Sequence, residues 1–298
     1  MIGELMADAL QRTGELRGHM GGRELLERAA ALWIGHRPAP REVRQAGIDS
    51  GWNMVQLQGF YLYAVDAVSV APDSSYVAAP RHELGASTME VEIRGRMVQD
   101  PHLFLETRGM QFEGELAIES SRRVDMVLLD GSLMARAYDQ RSKSIGALHD
   151  VLPELRSMEN AVFVAKRSQG NELVGGPLGD IYYFSRATVS AGFSAPCVSE
   201  GITHFYARLE DGAECLRVEV PGRLDDAPPC REASAEGEWT EVKRVLDGLA
   251  HGIVGGYPYV LILAHERAHV GDRDIRAIAN VMGVSFLESG REVLGEHR

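Results

Sequence analysis

The sequence predicts a mixed α/β fold in which a helical arm precedes a core of order β-β-β-α-β, flanked by further helices. Three observations carry this prediction. Residues Phe60–Ala71 and Met89–Val98 are rich in β-branched and aromatic types or alternate in polarity, as half-buried strands do. The segment Leu103–Ser121 instead repeats its apolar residues at helical spacing. The apolar run Val124–Leu129 then stops at Asp130-Gly131-Ser132, as a buried strand ends in a turn.

The arm is predicted over residues 1–40, because loosely helical apolar spacing up to Trp33 leads into the proline-rich turn His36–Pro40. Residues 41–298 are predicted to form one domain, since no repeat or linker divides them. Its first strand, within Val43–Asn53, is expected to stop at the turn signal Asp49-Ser50-Gly51.

The elements after the core follow from the same patterns, with Ile181–Val189 left ambiguous. They are a helix over Ser142–Met158, a strand over Ala161–Lys166, a hairpin of His204–Leu209 with Cys215–Val220, a loop over Asp225–Glu238, a helix over Val242–His251, a strand over Tyr259–Ala264 and a closing helix over Asp272–Met282.

Composition excludes several classes of protein. The 298 residues are 45% hydrophobic and 25% charged, which is ordinary for globular chains and unlike disordered or collagen-like ones. A net charge of −12 argues against loose coating of nucleic acid or anionic membrane. No apolar stretch is long enough for a membrane span. The three cysteines have no C-x-x-C spacing and predict neither a zinc knuckle nor a disulfide framework, so we expect a cytoplasmic protein.

Two aspartates stand at predicted strand ends beside small residues, Asp49 in GIDSGWN and Asp130 in LLDGSL. An Asx turn would explain either one alone. In a β-β-β-α-β order, however, the first and fourth strands can be neighbours, and their terminal acids would then meet. Glu113 or Glu115 on the intervening helix could supply a third carboxylate. Clustered carboxylates require a hard divalent cation, and such a centre predicts phosphodiester cleavage by Mg²⁺ or Mn²⁺.

A second motif, His265-Glu266-Arg267-Ala268-His269, matches H-E-x-x-H. On a helix it could bind zinc with Glu266 as general base, which makes a zinc metalloprotease the alternative function. The preceding run Tyr259–Ala264 is better suited to a buried strand. In that case His265 stands at a strand end and could act at the carboxylate centre.

Two further strand-flanking residues could contact substrate. Lys166, at the end of AVFVAK and followed by Arg167, could meet a phosphate backbone, although a surface lysine is the simpler reading. Tyr257, in GYPYVLILAH, could position substrate or anchor a turn.

In order, the segments GIDSGWN, GFYLYAVDAVSV, VDMVLLDGSL, VFVAKRS, HFYARL with LRVEVPG, and GYPYVLILAHERAH resemble the NurA nucleases. The resemblance spans Gly47–His269. It implies an RNase H-like fold and a Mn²⁺-dependent, or Mg²⁺-dependent, DNA nuclease. In archaea and some bacteria such enzymes act as 5′-to-3′ exonucleases and single-strand endonucleases in end resection and double-strand break repair. It also implies a homodimer partnered with the HerA-type hexameric helicase.

By motif match, the resemblance assigns metal binding and catalysis to Asp49, Glu113, Asp130 and His265, and a catalytic role to Tyr257. Asp73 in APDSS remains an alternative to Asp49, because the first motif reads D-S-G where D-G-S is commoner. Glu115 likewise remains an alternative to Glu113. The family reading makes the H-E-x-x-H match a coincidence.

Overall fold

The protein is described here by a computed structural model, which covers residues 2–19, 22–93, 95–138, 148 and 151–284. The helices are α1 (Ile2–His19), α2 (Arg23–Ala31), α3 (Pro101–Ser121), α4 (Leu133–Tyr138), α5 (Val151–Ser157), α6 (Asp180–Ala187), α7 (Thr240–Leu249), α8 (Tyr259–Ala268) and α9 (Asp272–Val281). The strands are β1 (Trp33–Gly35), β2 (Gln45–Leu57), β3 (Phe60–Val70), β4 (Tyr76–Ser87), β5 (Glu90–Ile93), β6 (Arg96–Gln99), β7 (Met126–Asp130), β8 (Ala161–Ala165), β9 (Gly192–Ser194), β10 (Cys197–Ser199), β11 (Ile202–Arg208), β12 (Leu216–Pro221), β13 (Ile253–Val254) and β14 (Tyr257–Pro258). No helix in these described ranges is long and apolar enough to cross a membrane.

The chain forms two compact units. The first unit comprises Met1–Arg41 and Val164–Tyr257, and the second comprises Glu42–Phe163 and Pro258–Arg298. Strand β8 contains the point where the chain passes from the second unit to the first.

The second unit contains the predicted β-β-β-α-β core. Its strands run in the order β7-β2-β3-β4, with β2, β3 and β4 antiparallel and β7 parallel to β2, so the sheet is mixed. Helix α3 begins at the cap Asp100, whose side chain accepts a hydrogen bond from the amide of Leu103, and Pro101 fits its first turn. The predicted α/β class with a mixed sheet and flanking helices is therefore confirmed.

The third strand of this core is not the predicted one. Residues 76–87 form β4, whereas Met89–Val98, predicted as one strand, folds into the separate hairpin β5-β6. Gly95 reverses the chain there with φ +77°, a conformation that glycine adopts without steric cost. The alternating pattern was correct, but each half of it forms its own short strand.

Two other predictions in the second unit are wrong. Strand β2 does not stop at Asp49-Ser50-Gly51 but continues to Leu57, pairing residue by residue with β3. Tyr259–Ala264 is the first part of helix α8 rather than a strand. The helix packs Leu263, Ala264 and Ala268 against β3, which explains its apolar run.

The first unit is built on a smaller antiparallel sheet of order β1-β9-β11-β12, with β10 paired to β11. The predicted hairpin is confirmed as β11-β12. The ambiguous segment Ile181–Val189 belongs mainly to helix α6, which packs against α2 around Tyr183 and Phe184. The arm consists of α1 and α2 followed by the unpredicted strand β1.

Two smaller points complete the outcome. The predicted helix over Ser142–Met158 is present as α5 at its end, and residues 142–147, 149 and 150 lie outside the described ranges. Cys197 and Cys230 of the first unit form a disulfide that their spacing did not predict, and Cys215 is free and buried.

Candidate metal centre

Asp49 and Asp130 lie on neighbouring strands of the second unit. Strand β2 runs parallel to β7, and the last matched pair is Ile48 with Leu129, so each aspartate follows that pair directly. The expectation that the first and fourth strands adjoin is confirmed. Asp130 ends its strand as predicted, whereas Asp49 lies within β2 because that strand continues beyond it.

Helix α8 can approach Asp49 because glycines flank the aspartate on the same face of β2. A Cβ at Gly47 would lie 2.2 Å from the carbonyl oxygen of Val260, and one at Gly51 would lie 2.1 Å from that of Ala268. The helix backbone therefore lies directly on the strand. This contact brings His265, on α8, next to the carboxylate.

Asp49 is held in a buried and negatively charged environment. Nδ1 of His265 lies 2.9 Å from its Oδ2, and the amide of Ser50 donates to its Oδ1. The pKa of Asp49 is raised to about 6, first by burial and then by the negative charges of Glu113 and Asp130, against the opposing hydrogen bonds of His265 and Ser50. A carboxylate that is this costly to ionise would be stabilised by a cation between these acids.

Glu113 is buried on α3 and has two partners. The hydroxyl of Ser50 donates to its Oε1, and Nη2 of Arg136 lies 2.5 Å from its Oε2. Gly109 allows α3 to come this close to the strand, since a Cβ there would lie 2.6 Å from the hydroxyl of Ser50. Ser50 and Asp49 are consecutive on β2, so their side chains emerge on opposite faces.

Arg136, on α4, is a residue of this site that the sequence did not predict. Its Nη2 also donates to the carbonyl oxygen of Asp130 at 2.7 Å, which ties the helix to the end of β7. In the described ranges its Nη1 has no hydrogen-bond partner, and Oε2 of Glu113 is paired with the guanidinium group alone, so the ion pair is incompletely satisfied. A single arginine in the short apolar segment LMARAY, directly after LLDGS, was the available signal.

The two alternative acids lie elsewhere. Glu115 is one-third exposed, accepts a hydrogen bond from Gln111 and faces Arg81 at 3.6 Å. Asp73 lies in the turn between β3 and β4, where it accepts hydrogen bonds from Ser75. Neither contributes to the charge environment of Asp49, whereas Glu113 does.

The H-E-x-x-H motif is not part of a group of three metal donors in the described ranges. Helix α8 does carry His265 and Glu266, contrary to the strand expectation, but it ends at Ala268. His269 is the residue that caps the helix, and neither histidine belongs to a close group of three metal donors in the part of the chain that the structure describes. Nδ1 of His265 is already bonded to Asp49.

The remaining predicted residues, Lys166, Arg167 and Tyr257, belong to the first unit. Nζ of Lys166 lies 4.0 Å from the centre of the Tyr257 ring, a cation–π contact. Lys166 and Arg167 also line a cleft with Tyr182, Ser185 and Arg208. Three cations and one acid, Glu214, line this cleft, so its lining carries more positive than negative charge on a chain of net charge −12.

The donors of the second unit fit a hard divalent cation. They are carboxylates with one imidazole, a set that suits Mn²⁺ and Mg²⁺, and the raised pKa of Asp49 shows that their charges are not balanced. The oxygen atoms of these carboxylates do not form a close group. In the described part of the chain, the one group of three donors within 4.8 Å of one another consists of Cys197, His204 and Cys230. Oε2 of Glu113 faces Arg136, so a cation bound at that oxygen would replace the guanidinium group as its charge partner.

Comparison with known proteins identifies the family. The model of the NurA domain matches residues 43–270. The chain belongs to the NurA family. A curated NurA, the DNA double-strand break repair nuclease of Saccharolobus solfataricus, is 25% identical over 142 residues, which cover 42% of this chain and 38% of that protein. The matched region therefore spans well under two thirds of that relative.

Solved NurA structures share the fold of this chain over nearly its whole length. The NurA nuclease from Sulfolobus solfataricus superposes with a TM-score of 0.74 at 18% identity, covering 95% of each chain. A NurA bound to dAMP and manganese superposes with a TM-score of 0.56 at 12% identity, covering 94% of this chain and 95% of the other.

Proposed function

We propose that this NurA protein is a divalent-metal-dependent nuclease that hydrolyses phosphodiester bonds in DNA. The observation that carries the proposal is the environment of Asp49, a buried carboxylate beside two other acids with a pKa raised to about 6. Burying three neighbouring carboxylates is unfavourable unless their negative charge is neutralised. Such a cluster is therefore typical of a site that binds a cation. The manganese and dAMP in a structurally similar NurA are consistent with that cation and with a nucleotide substrate.

The residues would divide the work as follows. Asp49, Glu113 and Asp130, with His265, would hold Mn²⁺ or Mg²⁺, which would supply an activated water and neutralise charge on the phosphate. The hydrogen bond of His265 fixes the carboxylate of Asp49, and the Ser50 hydroxyl orients Glu113. Arg136 fixes the end of β7 through the carbonyl oxygen of Asp130.

The first unit would contact the DNA backbone. Lys166 and Arg167 are the predicted substrate-binding residues, and they share their cleft with Arg208. Tyr257 would hold the ammonium group of Lys166 in place by the cation–π contact and could also touch substrate. Phosphate contacts of this kind position a strand without reading its sequence.

The finer assignments rest on membership of the family. We propose 5′-to-3′ exonuclease and single-strand endonuclease activity in end resection and double-strand break repair, carried out in the cytoplasm by a homodimer with a HerA-type hexameric ATPase. The exposed apolar side chains of α1 support a protein partner, because Ile2, Leu5, Met6 and Leu10 are each at least 64% exposed. Leu5→Asp with Leu10→Asp should weaken ATPase binding without changing metal-dependent cleavage.

The proposal is tested by cleavage of labelled single-stranded DNA in Mn²⁺. Asp49→Asn and Asp130→Asn should each reduce the rate by at least about a hundredfold, since each removes a charge from the metal site. The matched controls are Asp73→Asn and Glu115→Gln, which remove the same charges outside the site and should retain activity.

Two outcomes would contradict the proposal. One is unchanged cleavage by Asp49→Asn and Asp130→Asn in pure protein. The other is loss of cleavage in Asp73→Asn but not in Asp49→Asn, which would move the metal to the alternative aspartate. Folding of every variant is checked by circular dichroism, so that loss of structure is not mistaken for loss of metal.

A further inference from the structure

A second group of metal-ligating side chains lies within the first unit and has no part in the proposed nuclease centre. It consists of Cys197, His204 and Cys230, whose donor atoms all lie within 4.8 Å of one another. Cys197 and His204 are completely buried, whereas Cys230 is partly exposed. We propose that these three residues form a zinc-type metal site in the reduced protein, and that the disulfide between Cys197 and Cys230 is its oxidised, metal-free form.

The backbone brings the three residues together from three elements. Strands β10 and β11 are antiparallel, and their register sets Cys197 directly opposite His204. Cys230 begins a short 3-10 helix that is held beside β10, because the amide of Val198 donates to the carbonyl oxygen of Pro228. The ligands are thus fixed by main-chain pairing, which is how a preorganised site is built.

The position of His204 distinguishes this group from a disulfide alone. Its Nε2 lies 3.3 Å from Sγ of Cys197 and 3.8 Å from Sγ of Cys230, so one ring nitrogen faces both sulfurs. Ligand atoms around a tetrahedral Zn²⁺, bound at about 2.0–2.3 Å, lie about 3.3–3.8 Å apart. The ring is also hydrogen-bonded to the backbone of Ile202, the kind of contact that orients a metal-binding histidine.

The chemistry of the donors selects the metal. Two thiolates and an imidazole suit Zn²⁺, whereas the carboxylates of the second unit suit Mn²⁺ and Mg²⁺. A water molecule entering beside the partly exposed Cys230 would complete four ligands.

The two forms are connected by a balanced exchange. A phosphine reductant and one water convert the disulfide to two thiols and the phosphine oxide, and the thiols then release two protons as the divalent metal binds. A small-molecule disulfide would act as the oxidant for the reverse step: it takes up two electrons and two protons to become two thiols, while the two thiolates form the protein disulfide and release the metal.

The test uses full-length protein reduced with a phosphine under anaerobic conditions and titrated with Co²⁺ as a spectroscopic substitute for zinc. We expect stoichiometric binding with a thiolate-to-cobalt charge-transfer band, which a carboxylate site cannot produce. Cys197→Ser, Cys230→Ser and the similarly sized His204→Gln should each weaken binding at that band by at least about tenfold. Cys215→Ser is the matched control, because it removes the free buried cysteine of the same unit and should leave the band unchanged.

His204→Gln separates a metal site from a structural disulfide. In oxidised protein the variant should still form the disulfide, measured by thiol counting, while in reduced protein it should lose the cobalt band. Reduced wild-type protein without stoichiometric metal, or His204→Gln with an unchanged cobalt band, would overturn the proposal.

Discussion

Within the described part of the chain each unit buries one arginine–glutamate pair, and the two pairs are satisfied to different degrees. In the first unit Arg217 donates to Glu219 at 2.7 Å and to the hydroxyls of Tyr206 and Ser168, and its side chain is 3% exposed. In the second unit Arg136 is similarly buried against Glu113, yet within the described ranges Nη1 of the arginine lacks a hydrogen bond and Oε2 of the glutamate has the guanidinium group as its one partner. Both guanidinium groups lie near an aromatic ring.

The difference indicates two purposes for the same chemical pair. A buried ion pair is retained at little cost when every donor and acceptor is paired, and it then serves the fold. A buried pair with unused donors and acceptors is less stable and is more easily exchanged. We therefore interpret Arg217 as a structural residue and Arg136 as a cation that a metal can replace at Glu113.

The largest expected loss of stability follows from breaking the Arg217–Glu219 pair. Arg217→Met should lower the free energy of unfolding by about 3–5 kcal/mol, because Glu219 would remain buried without its charge partner. Urea unfolding measures this change, and Mn²⁺ should not reduce it. The double variant Arg217→Met with Glu219→Leu should recover part of the loss. A single variant as stable as the wild type would contradict the structural role.

The same substitution in the second unit should depend on metal. Arg136→Met is expected to cost about 3 kcal/mol in EDTA, because the charge of Glu113 is then uncompensated. At saturating Mn²⁺ the cost should be clearly smaller, since the bound cation would take over the charge of Glu113. Thermal unfolding with and without Mn²⁺ gives the comparison, with Arg217→Met as control. An equal cost in both conditions would remove the distinction between the pairs.

Asp180 extends the comparison to pH. This aspartate of the first unit is fully buried, and burial raises its pKa to about 6 although the amides of Leu173 and Val174 donate to it. Between about pH 4 and 6 the native state therefore holds a proton that the unfolded chain has released, so its contribution to stability falls as the pH rises. Raising the pKa of Asp180 from 3.8 to about 6 corresponds to about 3 kcal/mol of folding stability, present below about pH 4 and lost above about pH 6.

Asp180→Asn should abolish that pH dependence. The difference in unfolding free energy between wild type and variant, measured in urea at pH 5 and pH 7, should change in favour of the variant at the higher pH. Mn²⁺ should leave this difference unchanged, because Asp180 is interpreted as a structural acid. A difference that does not vary with pH would show that Asp180 is ionised throughout.

The sequence was a better guide to the acidic residues near Asp49 than to the helix and the arginine that contact them. Asp130 and Glu113 could be found because a strand end and a helical period are local signals. The helical state of α8 could not, since YVLILA fits a buried strand as well as a buried helix. The helical state depends on the close packing of α8 against the glycines of β2, and a local sequence pattern does not show such a long-range contact. Arg136 and the Cys197–His204–Cys230 group depend on strand register and long-range packing, and so were also missed.

The smallest expected change in stability is for Glu172, which lies beside the hydrogen-bonded group of Arg217. Glu172 is one-third exposed and lies 3.5 Å from Nη1 of Arg217. Glu172→Gln should change the free energy of unfolding by less than about 0.5 kcal/mol, because a partly exposed ion pair contributes little and Arg217 keeps its other partners. Urea unfolding at low and high salt checks this, and the small difference should shrink further as salt screens the pair. A loss comparable to that of Arg217→Met would mean that the network depends on every member, and full hydrogen bonding would then no longer distinguish the two pairs.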